Sequence, residues 1–319
     1  MLFDFLNQNH ISYEKDASLA KKTWIHRGGV TCWISPSSSN ELELLCAFLC
    51  KHDFGFLIVG HTSNLYIKNT YNPPIVISTI QCNRFDLSGD TIFCEAGASV
   101  IKLSKAAVEA GIGGYEYLTG LPGTVGGALC NNSSCGKYSI ADLLVYAEYI
   151  DENGNSGRLT KEDFNYSFRT SDFKTHRKKG VITKVYLKKC PGDGEELLAI
   201  SKENEEQRKR NLGSGAMNLG CTVNRCFING KMPFKYRVRQ SLYTRMLSYI
   251  EKDEQTRKKK QKEHILRISG YFDLNPYISD YSMIIYTWKD AKADLLFPRY
   301  LEFMEKIYKT DKVEIEVLE

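Results

Sequence analysis

The stretch best able to do chemistry is residues 113–128, GGYEYLTGLPGTVGGA, in which seven of sixteen residues are Gly or Pro. Glycine lets a backbone approach a ligand closely and turn several N–H groups toward one centre, which is how a protein cradles phosphate without cationic side chains. A tight connection between packed elements has the same composition, so these residues alone leave both readings open. A second segment, VGHTSNL at 59–65, runs an apolar strand into Gly, Thr, Ser and Asn, giving backbone and hydroxyl donors at a strand end. A hairpin turn is its plain alternative. Neither segment fits GxGxxG after a strand or GxxxxGK[ST], which disfavours the classical dinucleotide fold and the P-loop.

The elements that must position these loops are short. From residue 17 to 189 apolar strands alternate with helical stretches and with turns rich in Gly, Asn, Asp and Pro, the pattern of a layered α+β domain. A strand over 56–59 ends at Gly60. A helix over 41–51 follows possible caps at 37–40, and a helix over 99–110 stops at Gly111. Near residues 191–193 the pattern gives way to a charged helical run, 195–210, and then to Gly-rich, basic and aromatic segments. A domain boundary is expected there.

In this order the segments resemble the UDP-N-acetylenolpyruvoylglucosamine reductase family. TWIHRGG at 23–29 looks like that family's T-W-R-I-G-G, and 60–65 is similar to its G-G-G-S-N-L. EAGA at 95–98 echoes its strand ending in A-G-A, and GLPGTVGGA at 120–128 is nearly identical to its G-I-P-G-T-V-G-G-A. Asn132 and Asp142 follow at family spacing; YSFRTSDFK at 166–174 resembles F-x-Y-R-x-S-x-F-K, and VEIEV at 313–317 resembles the closing L-E-P-E-V.

The resemblance implies an α+β fold with a two-subdomain FAD-binding domain of the vanillyl-alcohol oxidase type over 1–190, its internal boundary near 76, and a substrate domain over 191–319. It assigns FAD to Gly60, His61, Thr62, Ser63, Asn64 and Leu65, and to Gly120, Pro122, Gly123, Thr124, Gly126, Gly127, Ala128 and Asn132. The implied activity is hydride transfer from NADPH, or NADH, through the flavin to an enolpyruvyl ether of a nucleotide sugar. Arg169, by motif position, meets the carboxylate as it becomes more electron-rich, a task for a permanently charged planar fork. Glu316 assists it. The proton donor falls on Cys221, in GCTVNRC at 220–226, where the family has serine; a thiol can donate a proton. Ordinary alternatives are a structural ion pair for Arg169, buried packing for Cys221, and a solvated strand face carrying Glu314 and Glu316 together.

The family's substrate-domain segments are not found between Leu219 and Tyr286, where KMPFKYRVR at 231–239, a basic run at 257–260 plus Lys262, and an aromatic stretch at 271–286 stand instead. Residues 132–137 also depart from the family's N-A-G-A-Y-G. The basic run reads as a solvated face or as an attractor of a phosphorylated substrate. His61 after Gly60 motivates a second class, a sugar or alcohol oxidase with flavin bonded to that histidine. A third is a flavin-binding paralogue without catalysis.

Composition sets limits. A net charge of +5, from 43 basic against 38 acidic residues, with no recurring basic-aromatic interleaving, favours anionic small molecules over nucleic acid. Ten cysteines without CxxC pairs suggest neither zinc nor disulfides, and no segment reads as a signal peptide or a membrane span. A cytoplasmic protein without metal or membrane partner is expected.

Overall fold

The computed structural model describes residues 1–135, 138–212, 217–223, 232–280, 282–310 and 312–318. Gly136, Lys137, Cys226, Lys231 and Glu319, singled out above, lie outside the described residues. The chain divides into two units, Met1–Ser63 with Asn69–Glu206, and Asn64–Lys68 with Gln207–Glu319.

The first unit holds two sheets. In the first, β1 (Ser12–Ser18), β2 (Val30–Ser35), β5 (Ile75–Ser78) and β3 (Leu57–Val59) lie in the order β1-β2-β5-β3, the last three mutually parallel. Helices α1 (Leu2–Gln8) and α2 (Ser39–Lys51) supply its cover. The Ser38 hydroxyl accepts the Glu41 N–H and starts α2, and Leu42, Leu45, Cys46 and Leu49, at helical spacing, are buried against Ile34, Ile75 and Ile77. The chain leaves this sheet after Ser78.

The second sheet is antiparallel, ordered β12-β11-β13-β7-β6 from β6 (Phe85–Asp86), β7 (Thr91–Glu95), β11 (Leu144–Asp151), β12 (Ser156–Leu159) and β13 (Gly180–Lys188). One cross-strand row, Leu159, Ala147, Val185 and Cys94, faces the core shared with α3 (Val100–Glu109), α4 (Val125–Cys130) and α5 (Ile140–Leu143). The Ser99 hydroxyl accepts the Lys102 N–H, so α3 starts at its cap; Gly111, at φ +69°, follows its end. Two short pairs complete the unit, β8 (Ile112–Gly113) with β14 (Cys190–Pro191) and β9 (Ser134–Cys135) with β10 (Tyr138–Ser139). The charged run expected after residue 195 is α6 (Gly194–Leu212), and the division between units falls within it, after Glu206.

The second unit contains α7 (Phe234–Ile250), α8 (Glu254–Ser269), α9 (Lys292–Tyr308) and a parallel pair, β4 (Leu65–Ile67) with β15 (Glu316–Leu318). Its core is aromatic. Tyr286, Trp288, Tyr300 and Phe303 are fully buried, and Trp288 packs on Tyr66 with ring centroids 5.1 Å apart. Two of the buried tyrosine hydroxyls find acceptors inside this core: Tyr286 donates to the Ala293 carbonyl at 2.7 Å and Tyr300 to the Met283 carbonyl at 3.0 Å. Among the described residues no helix is long and apolar enough to cross a membrane.

Candidate functional site

In the first unit residues 95–98 form the platform for the glycine loop. The Val125 N–H donates to the Ala98 carbonyl and the Gly126 N–H to the Ala96 carbonyl, both at 2.8 Å. A Cβ on Gly126 would stand 3.1 Å from that Ala96 oxygen, and one on Gly97 only 1.7 Å from the Thr79 carbonyl oxygen. The Gly127 N–H reaches the Thr124 hydroxyl at 3.3 Å and the Ala128 N–H the Thr124 carbonyl at 2.8 Å. The first amides of α4 are therefore engaged inside the fold. Gly126 and Ala128 are buried and Gly127 is exposed, and the donors left open in the loop lie at 120–124.

Two loops present open donors. Among the described residues no acceptor pairs with the N–H groups of Gly120, Gly123 and Thr124, or with those of Gly60, His61, Thr62 and Ser63 on the neighbouring loop. Pro122 has no N–H to offer. The loops are in contact, because the Ser63 hydroxyl donates to the Pro122 carbonyl at 3.1 Å and a Cβ on Gly60 would lie 2.4 Å from the Thr124 hydroxyl oxygen. Thr62, buried and held at φ +53°, accepts the Trp24 N–H on its hydroxyl at 2.7 Å, which ties residues 23–29 to the same place. Buried and half-buried N–H groups without a protein acceptor call for a ligand or solvent acceptor, and seven of them on two touching loops suit a diphosphate.

The chain after α4 holds the next candidates. The Asn132 side-chain N–H donates to the Ser167 carbonyl at 2.9 Å, while its Oδ1 is buried and accepts nothing from the described residues. The Ser171 hydroxyl donates to the Cys130 carbonyl, and the Lys174 ammonium donates to Asn131 Oδ1 at 2.5 Å and to the Arg169 carbonyl at 3.0 Å. Ser167 and Thr170 exchange backbone hydrogen bonds, so Arg169 sits in a tight turn at φ +55°, half-buried, donating to the Ser134 carbonyl at 2.9 Å. A non-glycine residue in the left-handed region is held there by its surroundings, a common device at functional sites. Asp142 has a local role, since its carboxylate caps α5 through Ser139 and pairs with Lys161 at 2.8 Å. His61 is half-buried in the donor-rich loop.

Cys221 and Glu316 belong to the second unit, together with Asn64 and Leu65. Cys221 is half-buried beside Thr222, whose N–H donates to the Ile284 carbonyl at 2.8 Å and whose carbonyl accepts the Glu314 N–H at 2.8 Å. The Thr222 hydroxyl also accepts the Tyr286 N–H at 3.0 Å, a buried junction that no sequence motif marks. Glu316 opens β15, donating its N–H to the Asn64 carbonyl at 3.0 Å. The shared solvated face expected for Glu314 and Glu316 is not formed. Residues 314 and 315 bend, Glu314 and Ile315 are both buried, and strand alternation begins only at Glu316.

The basic run is largely neutralised along α8. Lys258 lies 2.9 Å from Glu254, Lys260 lies 2.8 Å from Glu251, and Lys262 is buried with its ammonium 2.5 Å from Asp280. Among the described residues no group of three metal-ligating side chains occurs.

Residues 30–160 match the family model described as FAD binding domain. A UDP-N-acetylenolpyruvylglucosamine reductase structure from Thermus caldophilus superimposes with a TM-score of 0.67 at 20% identity, covering 97% of this chain and 100% of that one. The chain thus has the two-subdomain α+β fold of FAD-binding proteins of the vanillyl-alcohol oxidase type. The UDP-N-acetylenolpyruvoylglucosamine reductase of Caldicellulosiruptor bescii is 30% identical over 207 residues, 65% of this chain and 65% of its own length. That of Staphylococcus saprophyticus is 28% identical over 195 residues, 61% of this chain and 63% of its own length. Over about two thirds of its length the chain is thus similar in sequence to UDP-N-acetylenolpyruvoylglucosamine reductases. It spans less than two thirds of the length of the curated relatives it matches.

Proposed function

We propose that this protein is an FAD-dependent reductase that uses NADPH, or NADH, to saturate an enolpyruvyl ether of a nucleotide sugar, in the cytoplasm. The observation that carries the proposal is the meeting of the loops at 60–63 and 120–124 with their N–H groups open. The first unit is the flavin domain and the second the substrate domain.

In this reading the open amides and the Thr124 hydroxyl hold the FAD diphosphate, and Asn132 Oδ1 offers the cofactor an acceptor. Bound FAD supplies a two-electron carrier between the nicotinamide and the enolpyruvyl group. Arg169 holds the substrate carboxylate and stabilises the charge that gathers on that fragment as the outer carbon receives hydride; Glu316 assists. The Cys221 thiol then gives a proton to the neighbouring carbon, and the thiolate recovers its proton from solvent.

The test is anaerobic. Protein loaded with FAD should lose its yellow absorbance on addition of NADPH and regain it on addition of UDP-N-acetylglucosamine enolpyruvate, in proportion to the lactyl ether formed. Bleaching without recovery would point to another acceptor, and absence of bleaching would end the proposal. Acid precipitation adds a separate readout: flavin remaining in the pellet would favour the His61-linked oxidase.

A further inference from the structure

Helices α7 and α8 pack together, yet they treat their charge in opposite ways. On α8 the lysines have carboxylates near them, Lys258 with Glu254, Lys260 with Glu251, and Lys259 and Lys262 with Asp280. Helix α7, FKYRVRQSLYTRMLSYI, carries Lys235, Arg237, Arg239 and Arg245 and no acidic residue. Among the described residues none of these four has a carboxylate within 4 Å.

The apolar side chains of α7 are likewise on the wrong side for a core. It meets α8 through buried Tyr236 and Leu247, through Gln240, which donates to the Gln261 carbonyl at 3.1 Å, and through Tyr243, stacked on His264 with centroids 4.0 Å apart. The opposite side carries Phe234, Val238, Leu242, Met246, Tyr249 and Ile250 at helical spacing, all exposed, with Phe234 at 72%, Leu242 at 66% and Tyr249 at 77%. Lys235, Arg239 and Arg245 stand among these side chains at helical spacing, and an exposed apolar side of this kind marks a contact surface.

We propose that this face of α7 lies in the plane of an anionic lipid surface, its apolar side chains in the headgroup boundary and its cations at the lipid phosphates. Charge complementarity selects this occupant. Laying the stripe on a second copy would set four cations against four with no acid between them. Arg245, about three turns after Phe234, lies on the apolar side itself. At a lipid surface its stem can lie along the acyl boundary while its guanidinium reaches a phosphate. The proposal is independent of the flavin chemistry and requires no membrane-spanning segment.

The full-length chain should sediment at low salt with vesicles of phosphatidylcholine and phosphatidylglycerol, and not with phosphatidylcholine alone. Arg239→Ser and Arg245→Ser should each weaken that binding roughly fivefold. The pair Leu242→Glu with Tyr249→Glu should abolish it while circular dichroism stays unchanged, because both side chains are exposed. Failure to sediment with anionic vesicles, or sedimentation unaffected by the glutamates, would overturn the proposal. Dimerisation abolished by the glutamates would reassign the face to a second copy, and preference for an acidic helical peptide over vesicles would reassign it to a protein.

Discussion

The two units build their interiors from opposite materials. In the first, chain segments cross where side chains are missing: Gly97 against the Thr79 carbonyl, Gly126 against Ala96, Gly60 against Thr124. In the second, Tyr66, Tyr286, Trp288, Phe297 and Tyr300 fill space with large rings. A crossing with no room for a Cβ accepts only glycine, whereas a volume can be filled by several combinations of side chains. That is why the glycine crossings of the first unit stand out as short motifs and the aromatic core of the second does not.

Substitutions sharpen the contrast. Trp288→Ala should lower stability by about 3–5 kcal/mol through the cavity it leaves, with Trp288→Phe recovering part of the loss. Gly97→Ala should cost about 3 kcal/mol through backbone displacement alone, and no larger residue should restore it. Thermal melts of the three variants decide the matter. Equal tolerance at both positions would erase the distinction between crossing and filling.

A second comparison separates holding from reacting. Arg169→Lys should reduce turnover about 100-fold, because a point charge cannot replace the planar fork, while FAD affinity stays within twofold. Steady-state rates beside a flavin titration would show it. Loss of FAD in parallel with turnover would make Arg169 part of the cradle.

The smallest effect expected is at Glu95, beside the platform. Burial pushes its carboxyl pKa up, but the Ser39 and Arg84 N–H groups, the Ser39 hydroxyl and the Arg84 guanidinium outweigh burial and hold it below the usual carboxylate range. A depressed folded pKa gives stability that is present above the unfolded value, about 4.3, and lost as pH falls through the folded one. Glu95→Gln should therefore flatten the acid side of a stability-against-pH curve and leave its slope near neutrality unchanged. A curve as steep as wild type below pH about 4 would remove Glu95 from the acid response.

Much of this architecture was legible in the residues. Ser99 and Gly111 bracket α3, and the motif at 166–174 does fold against the segment following α4, through Ser171, Lys174 and Arg169. Other features depended on partners distant in the chain. Nothing in GTVGGA reveals that its helix-end amides meet Ala96 and Ala98, and nothing in VEIEV reveals the bend at 314–315. The grouping of Asn64–Lys68 with the second unit follows from the parallel pairing of β15 on β4, a contact across about 250 residues that local pattern does not encode.

The donors at 120–124 are reached most directly through Gly123. It is held at φ +132°, where an L side chain is strained, and its Cβ position is 3.4 Å from the Ser63 hydroxyl, so Gly123→Ala should turn the amides at 123 and 124 away from their present directions. Titrating FAD into the apo-protein should show at least roughly tenfold weaker binding for Gly123→Ala than for wild type, with the circular dichroism spectrum unchanged; the corresponding loss is about 1.4 kcal/mol. Equal affinity in a natively folded variant would contradict the assignment of these loops to the FAD diphosphate.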